Sequence, residues 1–159
     1  MILYHGSNVL VDEPKIIASA RRLDFGVGFY LTSSYEQAER WAMLTAKRKG
    51  VGKAQVISYE FNEIELDKIK VLVFKEANFE WLKYASHNRR DLQVSDDYDV
   101  VIGPVANDRT MPVIVAYFAG IYDEEETIRR LMPQKLQNQY AFKTERSLSL
   151  LSFKEAKLL

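Results

Sequence analysis

The stretch LYHGSN, residues 3–8, begins as a strand and changes character within a few positions. We predict a short strand over 2–4, followed by His5, one of only two histidines in the chain. A lone histidine at such a point is most often a half-buried residue with one structural hydrogen bond. However, Gly6 permits close approach to the backbone and Ser7 adds a hydroxyl that donates and accepts, so the same residues also suit a binding site.

A second stretch, DFGVGFYLT at residues 24–32, places two glycines just before a strand that we predict over 28–32. These glycines do not form a dinucleotide-binding fingerprint, in which three glycines lie between a strand and a helix. They can be turn residues alone. The strand that they precede nevertheless carries Tyr30, which is a suitable platform for a flat ring.

Helix signals follow this strand directly. Ser34 begins a capping-box pattern, and Gly50 after the basic residues 47–49 is typical of a helix end. Between them apolar residues recur at helical spacing and predict one buried face that includes Trp41. A tryptophan in this setting is more often a core residue than a ligand contact, but together with Tyr30 it could cover the second side of a flat ring.

The rest of the chain alternates short strands and helices without internal repeats. We predict strands over 54–61, 69–74, 98 to the break at Gly103, 138–144 and 152–158, helices over 77–90, 112–120 and 123–132, and a helical turn before the last strand. This order lacks the regular βαβ alternation of a doubly wound parallel sheet. We therefore expect an α+β protein with one domain over residues 1–159.

Composition narrows the class of protein. With 47% hydrophobic and 28% charged residues, the chain suits a globular domain, and its 22 basic and 22 acidic residues cancel, so no overall field favours nucleic acid or an anionic membrane. It has no cysteine, which excludes thiol nucleophiles and thiolate metal sites, and we expect no metal. The first residues lack a secretory pattern, and the longest apolar run, 111–122, is too short to span a membrane, so we expect a cytoplasmic protein.

Three motifs in this order, LYHGS, FGVGFYLT and QAERWA, resemble the NAD-binding half of the ADP-ribosyltransferases, in the branch of diphtheria toxin and the poly(ADP-ribose) polymerases. The resemblance covers residues 3–42 and returns at 137–145. Within that superfamily the chain is similar to a small, uncharacterised bacterial family of the domain-of-unknown-function type, often placed in toxin–antitoxin-like or phage-associated settings. The resemblance implies split antiparallel β-sheets with flanking helices.

The same resemblance implies roles for individual residues. His5 would hydrogen-bond a ribose hydroxyl of NAD, the backbone of Gly6 would hold the nicotinamide carboxamide, and Ser7 would support the ribose contacts. Tyr30 and Trp41 would sandwich the nicotinamide ring. NAD would then be a substrate, because a fixed nicotinamide exposes the glycosidic bond to cleavage with oxocarbenium character on the ribose.

The third catalytic position of the family is a glutamate, and the segment QNQYAFKTE, 137–145, has Gln139 there. A glutamine can hydrogen-bond the ribose 2′-hydroxyl but cannot stabilise a positive charge as a carboxylate does, nor accept a proton. Either Asp108 or Glu145 could supply the missing acid. Gln139 could also be an ordinary polar residue of a half-exposed strand. If it occupies the catalytic position, Gln139→Glu should speed nicotinamide release.

The segment GPVANDRT, 103–110, is more polar than a turn requires. Its residues can simply make turn hydrogen bonds. Alternatively, Asp108 and Arg109 line the cleft, and Arg109 reaches the diphosphate of NAD.

Taken together, the resemblance leads us to expect an NAD-dependent mono-ADP-ribosyltransferase-like enzyme with His5, Tyr30 and Gln139 at the catalytic positions. It would transfer ADP-ribose to a protein or nucleic-acid acceptor, and an antitoxin or another regulatory partner would fit that role. Two alternatives use the same pocket: an NAD glycohydrolase, with water as the acceptor, and a module that binds NAD or ADP-ribose without turnover. A structural or interaction protein is the remaining class.

Overall fold

A computed structural model of the chain describes residues 1–18, 22–90, 96–106 and 109–159. Within these residues seven strands form one mixed sheet in the order β4-β5-β6-β2-β1-β3-β7, in which β4 and β5 are parallel and the other neighbours antiparallel. The strands are β1 Ile2–Ser7, β2 Phe29–Thr32, β3 Gln55–Phe61, β4 Val71–Val73, β5 Val100–Pro104, β6 Asn138–Phe142 and β7 Leu151–Leu158. The predicted α+β class is confirmed.

The helices flank this sheet. They are α1 Tyr35–Lys49, α2 Phe79–Arg90, α3 Met111–Phe118, α4 Glu124–Leu131 and the short α5 Glu145–Leu148. A 3₁₀ helix, Glu63–Lys68, was not predicted from the sequence. Both ends of α1 are as predicted, since the Ser34 hydroxyl accepts the Gln37 N–H at 3.2 Å and Gly50 adopts a φ of 67°. Within the described part of the chain, no helix is long and apolar enough to cross a membrane.

The first strand extends beyond its predicted end. Residues 5–7 pair with residues 55–57 of β3, so His5 lies within a strand and not after it. The glycine that suggested a strand end has a packing reason instead. A Cβ added to Gly6 would lie 2.2 Å from the Ala38 carbonyl oxygen, so only glycine lets α1 pack this closely on the backbone of β1.

Each face of the sheet carries a hydrophobic core. One face, which we call the helix-covered face, packs against α2, α3 and α4. Its core includes Phe25, Trp81, Leu82, Val101, Ile114, Leu131 and Ala141. The opposite face is covered by α5, the 3₁₀ helix and the segment near residues 11–16, and its core includes Leu3, Phe29, Leu31, Ile57, Tyr59, Val100, Phe142 and Leu148. Because successive side chains of a strand alternate between faces, the two cores fix which residues of each strand share a face.

The sheet has its fewest registered residue pairs in its middle, between β1 and β2. These two fully described strands meet at one registered pair, Tyr4 with Thr32, whereas β1 pairs with β3 along the whole length of β1. Beyond that pair, residues 5–7 of β1 have no registered partner in β2. We call this stretch the β1–β2 gap.

Candidate functional site

His5 lies at the β1–β2 gap and bridges it with its side chain. Its Nδ1 is 2.8 Å from the backbone oxygen of Tyr30. A carbonyl oxygen can only accept, so Nδ1 carries a hydrogen and donates it. Burial lowers the pKa of His5 below its usual 6.5, and the bond to Tyr30 offsets only part of this effect. The ring is therefore neutral at pH 7, which makes Nε2 a hydrogen-bond acceptor.

The backbone of Tyr30 faces the gap. The N–H and C=O of one strand residue point to the same side of the strand, so both groups of Tyr30 point toward β1. Its carbonyl is used by His5. Here a side chain of β1, and not its backbone, bonds to the Tyr30 carbonyl.

Gly6, Tyr30 and Trp41 lie on the helix-covered face, on the two sides of the gap. The pair formed by Tyr4 and Thr32 shares a face, and Gly6 and Tyr30 are each two residues from one member of that pair. The position of a Cβ on Gly6 lies 2.9 Å from the Cβ of Trp41, so α1 brings the tryptophan over this glycine. Trp41 is half-buried. The structure thus places these three predicted residues on one face, with Trp41 next to Gly6.

The His5 ring lies on the other face. It packs against Phe29, with ring centroids 4.4 Å apart, and Phe29 belongs to the opposite core. His5 and the aromatic pair are therefore not three side chains of one wall. They meet only through the β1–β2 gap, where the imidazole contacts the backbone of Tyr30.

The Tyr30 hydroxyl is anchored to the glycine-containing loop before β2. It donates to the Gly26 carbonyl at 2.7 Å and accepts the Phe25 N–H at 3.1 Å. Burial raises the pKa of Tyr30 well above its usual range, and the nearby Asp24 carboxylate raises it further. The phenol stays protonated, so Tyr30 offers a fixed ring surface and not a proton-transfer group.

Gln139 also faces the helix-covered side, because it pairs with Thr32 across β2 and β6. The interpretation of an ordinary residue on a half-exposed strand is wrong, since Gln139 is only 3% exposed. Its Nε2 donates to the Asp24 carboxylate at 2.9 Å and to the Pro104 carbonyl at 3.2 Å. Both partners are acceptors, which fixes the amide orientation and leaves Oε1 as an acceptor for another group.

Asp24 is a buried carboxylate that the sequence reasoning missed. It is 3% exposed, and Oδ1 accepts the Arg89 Nε–H at 2.5 Å while Oδ2 accepts the Ala106 N–H at 3.3 Å. The carboxylate joins the loop before β2 to α2 and β6. The signal was available in the motif DFGVG, where an acid begins an otherwise apolar loop. Nothing local indicated its partners.

The other predicted residues have weaker links to the gap. The buried Ser7 hydroxyl accepts the Val9 N–H at 3.2 Å and so closes a local turn. Glu145 is exposed at the start of α5, beyond the end of β6 that lies away from Gln139, so the structure does not bring this acid to Gln139. Arg109 is exposed, and Asp108 lies outside the described residues.

The described part of the chain contains no cluster of three histidine or acidic side chains that could hold a metal ion. The gap is flanked by a neutral imidazole and two aromatic residues, and the Gln139 amide is buried on the next strand, β6. These groups suit a flat, neutral or cationic ring with hydroxyl groups nearby.

A family model described as "Protein of unknown function (DUF3990)" matches residues 1–153, and the chain belongs to this family. The expectation of an uncharacterised family is therefore confirmed, and the family description assigns no activity. No curated protein and no solved structure matches the chain.

Proposed function

We propose that this member of the DUF3990 family binds NAD at the β1–β2 gap and transfers its ADP-ribose group to a macromolecular acceptor, in the manner of the ADP-ribosyltransferases. The observation that carries the proposal is the gap itself. It opens in the middle of the sheet beside a neutral histidine, and a tyrosine and a tryptophan lie on one face around a glycine.

The chemistry of NAD fits these groups one by one. The nicotinamide ring is flat and would insert between Tyr30 and Trp41, with its carboxamide on the backbone near Gly6. A ribose hydroxyl would donate to Nε2 of His5, which has to accept because Nδ1 is already the donor to Tyr30. A single ligand that enters the gap can reach both faces, and this accounts for a histidine on one side and an aromatic pair on the other.

The transfer step breaks the bond between C1′ of the ribose and the nicotinamide nitrogen. The bonding electrons leave with neutral nicotinamide, and C1′ gains oxocarbenium character before the acceptor nucleophile bonds to it and releases its proton to water. In this scheme Oε1 of Gln139 accepts from a ribose hydroxyl and orients the sugar. As a neutral group it contributes less than a carboxylate to the charge on C1′, so a nucleophilic acceptor is required.

A second candidate is a module that binds NAD or ADP-ribose without turnover. The specific observation in its favour is the state of the acid nearest to Gln139. The Asp24 carboxylate is already bonded to Arg89 and to the Gln139 amide, and Gln139 itself has no carboxylate. Neither Asp24 nor Gln139 therefore supplies a carboxylate to a sugar in the gap.

Calorimetry with NAD tests the binding step. We expect Trp41→Ala to weaken NAD binding at least tenfold, since stacking contributes about 0.5–1.5 kcal/mol beyond the buried area. Leu44→Ala is the matched control, because Leu44 lies on the same helix and is 55% exposed. No detectable NAD binding by the wild-type protein would refute the proposal.

Labelled NAD in a cell lysate then separates the activities. Label on a macromolecule supports the transferase, and released nicotinamide without labelled acceptor supports the glycohydrolase. Binding with neither product supports the non-catalytic module.

A further inference from the structure

One of the two edges of the sheet, on the β2 side of the β1–β2 gap, is formed by β4. Strand β4 is last in the strand order and pairs only with β5 among the described strands. The Phe74 N–H donates to the Ile102 carbonyl at 2.8 Å, so the backbone groups of Phe74 point toward β5. By alternation, the N–H and C=O of Val73 point away from the sheet. The Val73 side chain is 54% exposed.

A groove of about 930 Å³ runs along this edge. Five consecutive residues, 72–76, line it. Two of these, Leu72 and Val73, belong to β4; as neighbours in a strand they point to opposite faces, so the groove reaches the strand edge and is not confined to one face. The opposite wall is one side of α2, with Glu80, Lys83, His87 and Arg90 at helical spacing. We call it the β4–α2 groove.

Three cationic side chains, Lys75, Lys83 and Arg90, line the groove against two acids. Neither Lys83 nor Arg90 has a carboxylate within salt-bridge distance among the described residues. The Arg90 guanidinium is held over the Phe118 ring at 4.6 Å, which orders it beside the groove. The acids that line the groove, Glu76 and Glu80, lie near the start of α2, where Glu80 is one turn before Lys83 on the same side of the helix.

A polar group in the same wall lacks a partner. The Ser86 hydroxyl is buried, with Ser86 7% exposed, and makes no hydrogen bond to any described residue. A buried hydroxyl without a partner is uncommon in a folded protein.

We propose that the β4–α2 groove binds an extended peptide of a partner protein, which adds a strand to β4 and turns acidic side chains toward α2. An unpaired strand edge presents alternating donors and acceptors that match a peptide backbone. Alternate side chains of the added strand recur every ~6.8 Å, and Lys83 and Arg90 are ~10.5 Å apart along the helix. Two acids two positions apart can therefore each reach one of these long, flexible cations.

The test uses a fluorescein-labelled ten-residue peptide of alternating glutamate and valine, with a lysine–valine peptide as the matched control. We expect anisotropy to detect the acidic peptide only. Val73→Pro should weaken binding about tenfold or more, because it removes an outward N–H while the ladder to β5 keeps its bonds. Lys83→Glu should weaken it about tenfold, and Lys47→Glu on α1, equally exposed, should leave it unchanged.

Thermal melts establish that each variant is folded, and amide chemical-shift changes on residues 71–75 and α2 provide a readout that needs no substitution. Three results would overturn the proposal: no binding of the acidic peptide, binding that both Val73→Pro and Lys83→Glu leave unchanged, or tighter binding of a single-stranded oligonucleotide than of the peptide. None of these outcomes depends on whether the protein binds NAD.

Discussion

Replacing Gln139 by glutamate would place two carboxyl groups in one buried site. The present amide nitrogen lies 2.9 Å from the Asp24 carboxylate and 3.2 Å from the Pro104 carbonyl. Two unit charges about 3 Å apart repel by roughly 5.5 kcal/mol at an effective dielectric constant of about 20. Keeping the new carboxyl protonated at pH 7 costs less, about 3.7 kcal/mol from a reference pKa near 4.3, and lets it donate to Asp24.

We therefore expect Gln139→Glu to lower the free energy of unfolding by about 3–4 kcal/mol at pH 7. The pKa of the introduced carboxyl is raised in the folded state, so its protonated form favours folding at low pH and this contribution is lost as pH rises. The defect relative to wild type should shrink by about 1.4 kcal/mol per pH unit as pH falls toward 4.3. Urea denaturation at several pH values measures this, with the exposed Gln137→Glu as the control.

The double variant Asp24→Asn with Gln139→Glu restores one amide and one carboxylate, exchanged in position. The new asparagine can still accept from Arg89 through Oδ1 and donate to the introduced carboxylate through Nδ2, while the Ala106 N–H loses the acceptor that Oδ2 provides. We expect a coupling free energy of about 2–3 kcal/mol in the double-mutant cycle. This variant, and not the single exchange, is the one in which a carboxylate at position 139 should speed nicotinamide release.

Two outcomes would refute this account of the site. One is a Gln139→Glu protein as stable as wild type at pH 7, which would mean that the Asp24 carboxylate is not its neighbour. The other is strict additivity of the two substitutions.

Three further predictions concern stability. Gly6→Ala should cost at least about 3 kcal/mol in urea denaturation, because its Cβ would meet backbone atoms of α1, whereas Gly50→Ala, with nothing near it in space, should cost only about 1–2. Since the pKa of His5 is lowered by burial, wild-type stability should fall as pH drops below 6.5, and His5→Gln should remove that part of the pH dependence. Burial alone would raise the pKa of Asp99, but hydrogen bonds from Thr144, a backbone N–H and an arginine lower it; Asp99→Asn should cost about 3 kcal/mol at pH 7, and the difference from wild type in thermal unfolding should diminish below pH 3.8.

Local signals were sufficient for most of the helices and strands. The bounds of α1 were predictable because Ser34 satisfies an N–H of the first turn and Gly50 adopts a left-handed conformation, and both effects act within a few residues. The strand Gln55–Phe61 was predictable from alternation for the same reason. The 3₁₀ helix was not, since it has no apolar period of its own and no buried residue.

The candidate site could be predicted from the sequence only in part. The sequence by itself indicated which residues to examine, because a histidine before a glycine and an aromatic residue after two glycines are unusual wherever they occur. It placed His5 after the strand, and only the pairing with β3 showed that the strand continues through it. Likewise, the glycine at position 6 has a use that depends on a helix 32 residues later in the chain.

Only the tertiary structure decided that β1 and β2 part in the middle of the sheet, and that Asp24 meets Gln139, 115 residues away. The order of strands follows from which surfaces can be buried together, and no local pattern encodes that choice. The sequence indicated His5, Gly6, Tyr30, Trp41 and Gln139, but not Asp24. Their neighbours, and with them the protonation states and hydrogen-bonding roles at the gap, were determined by long-range strand pairing.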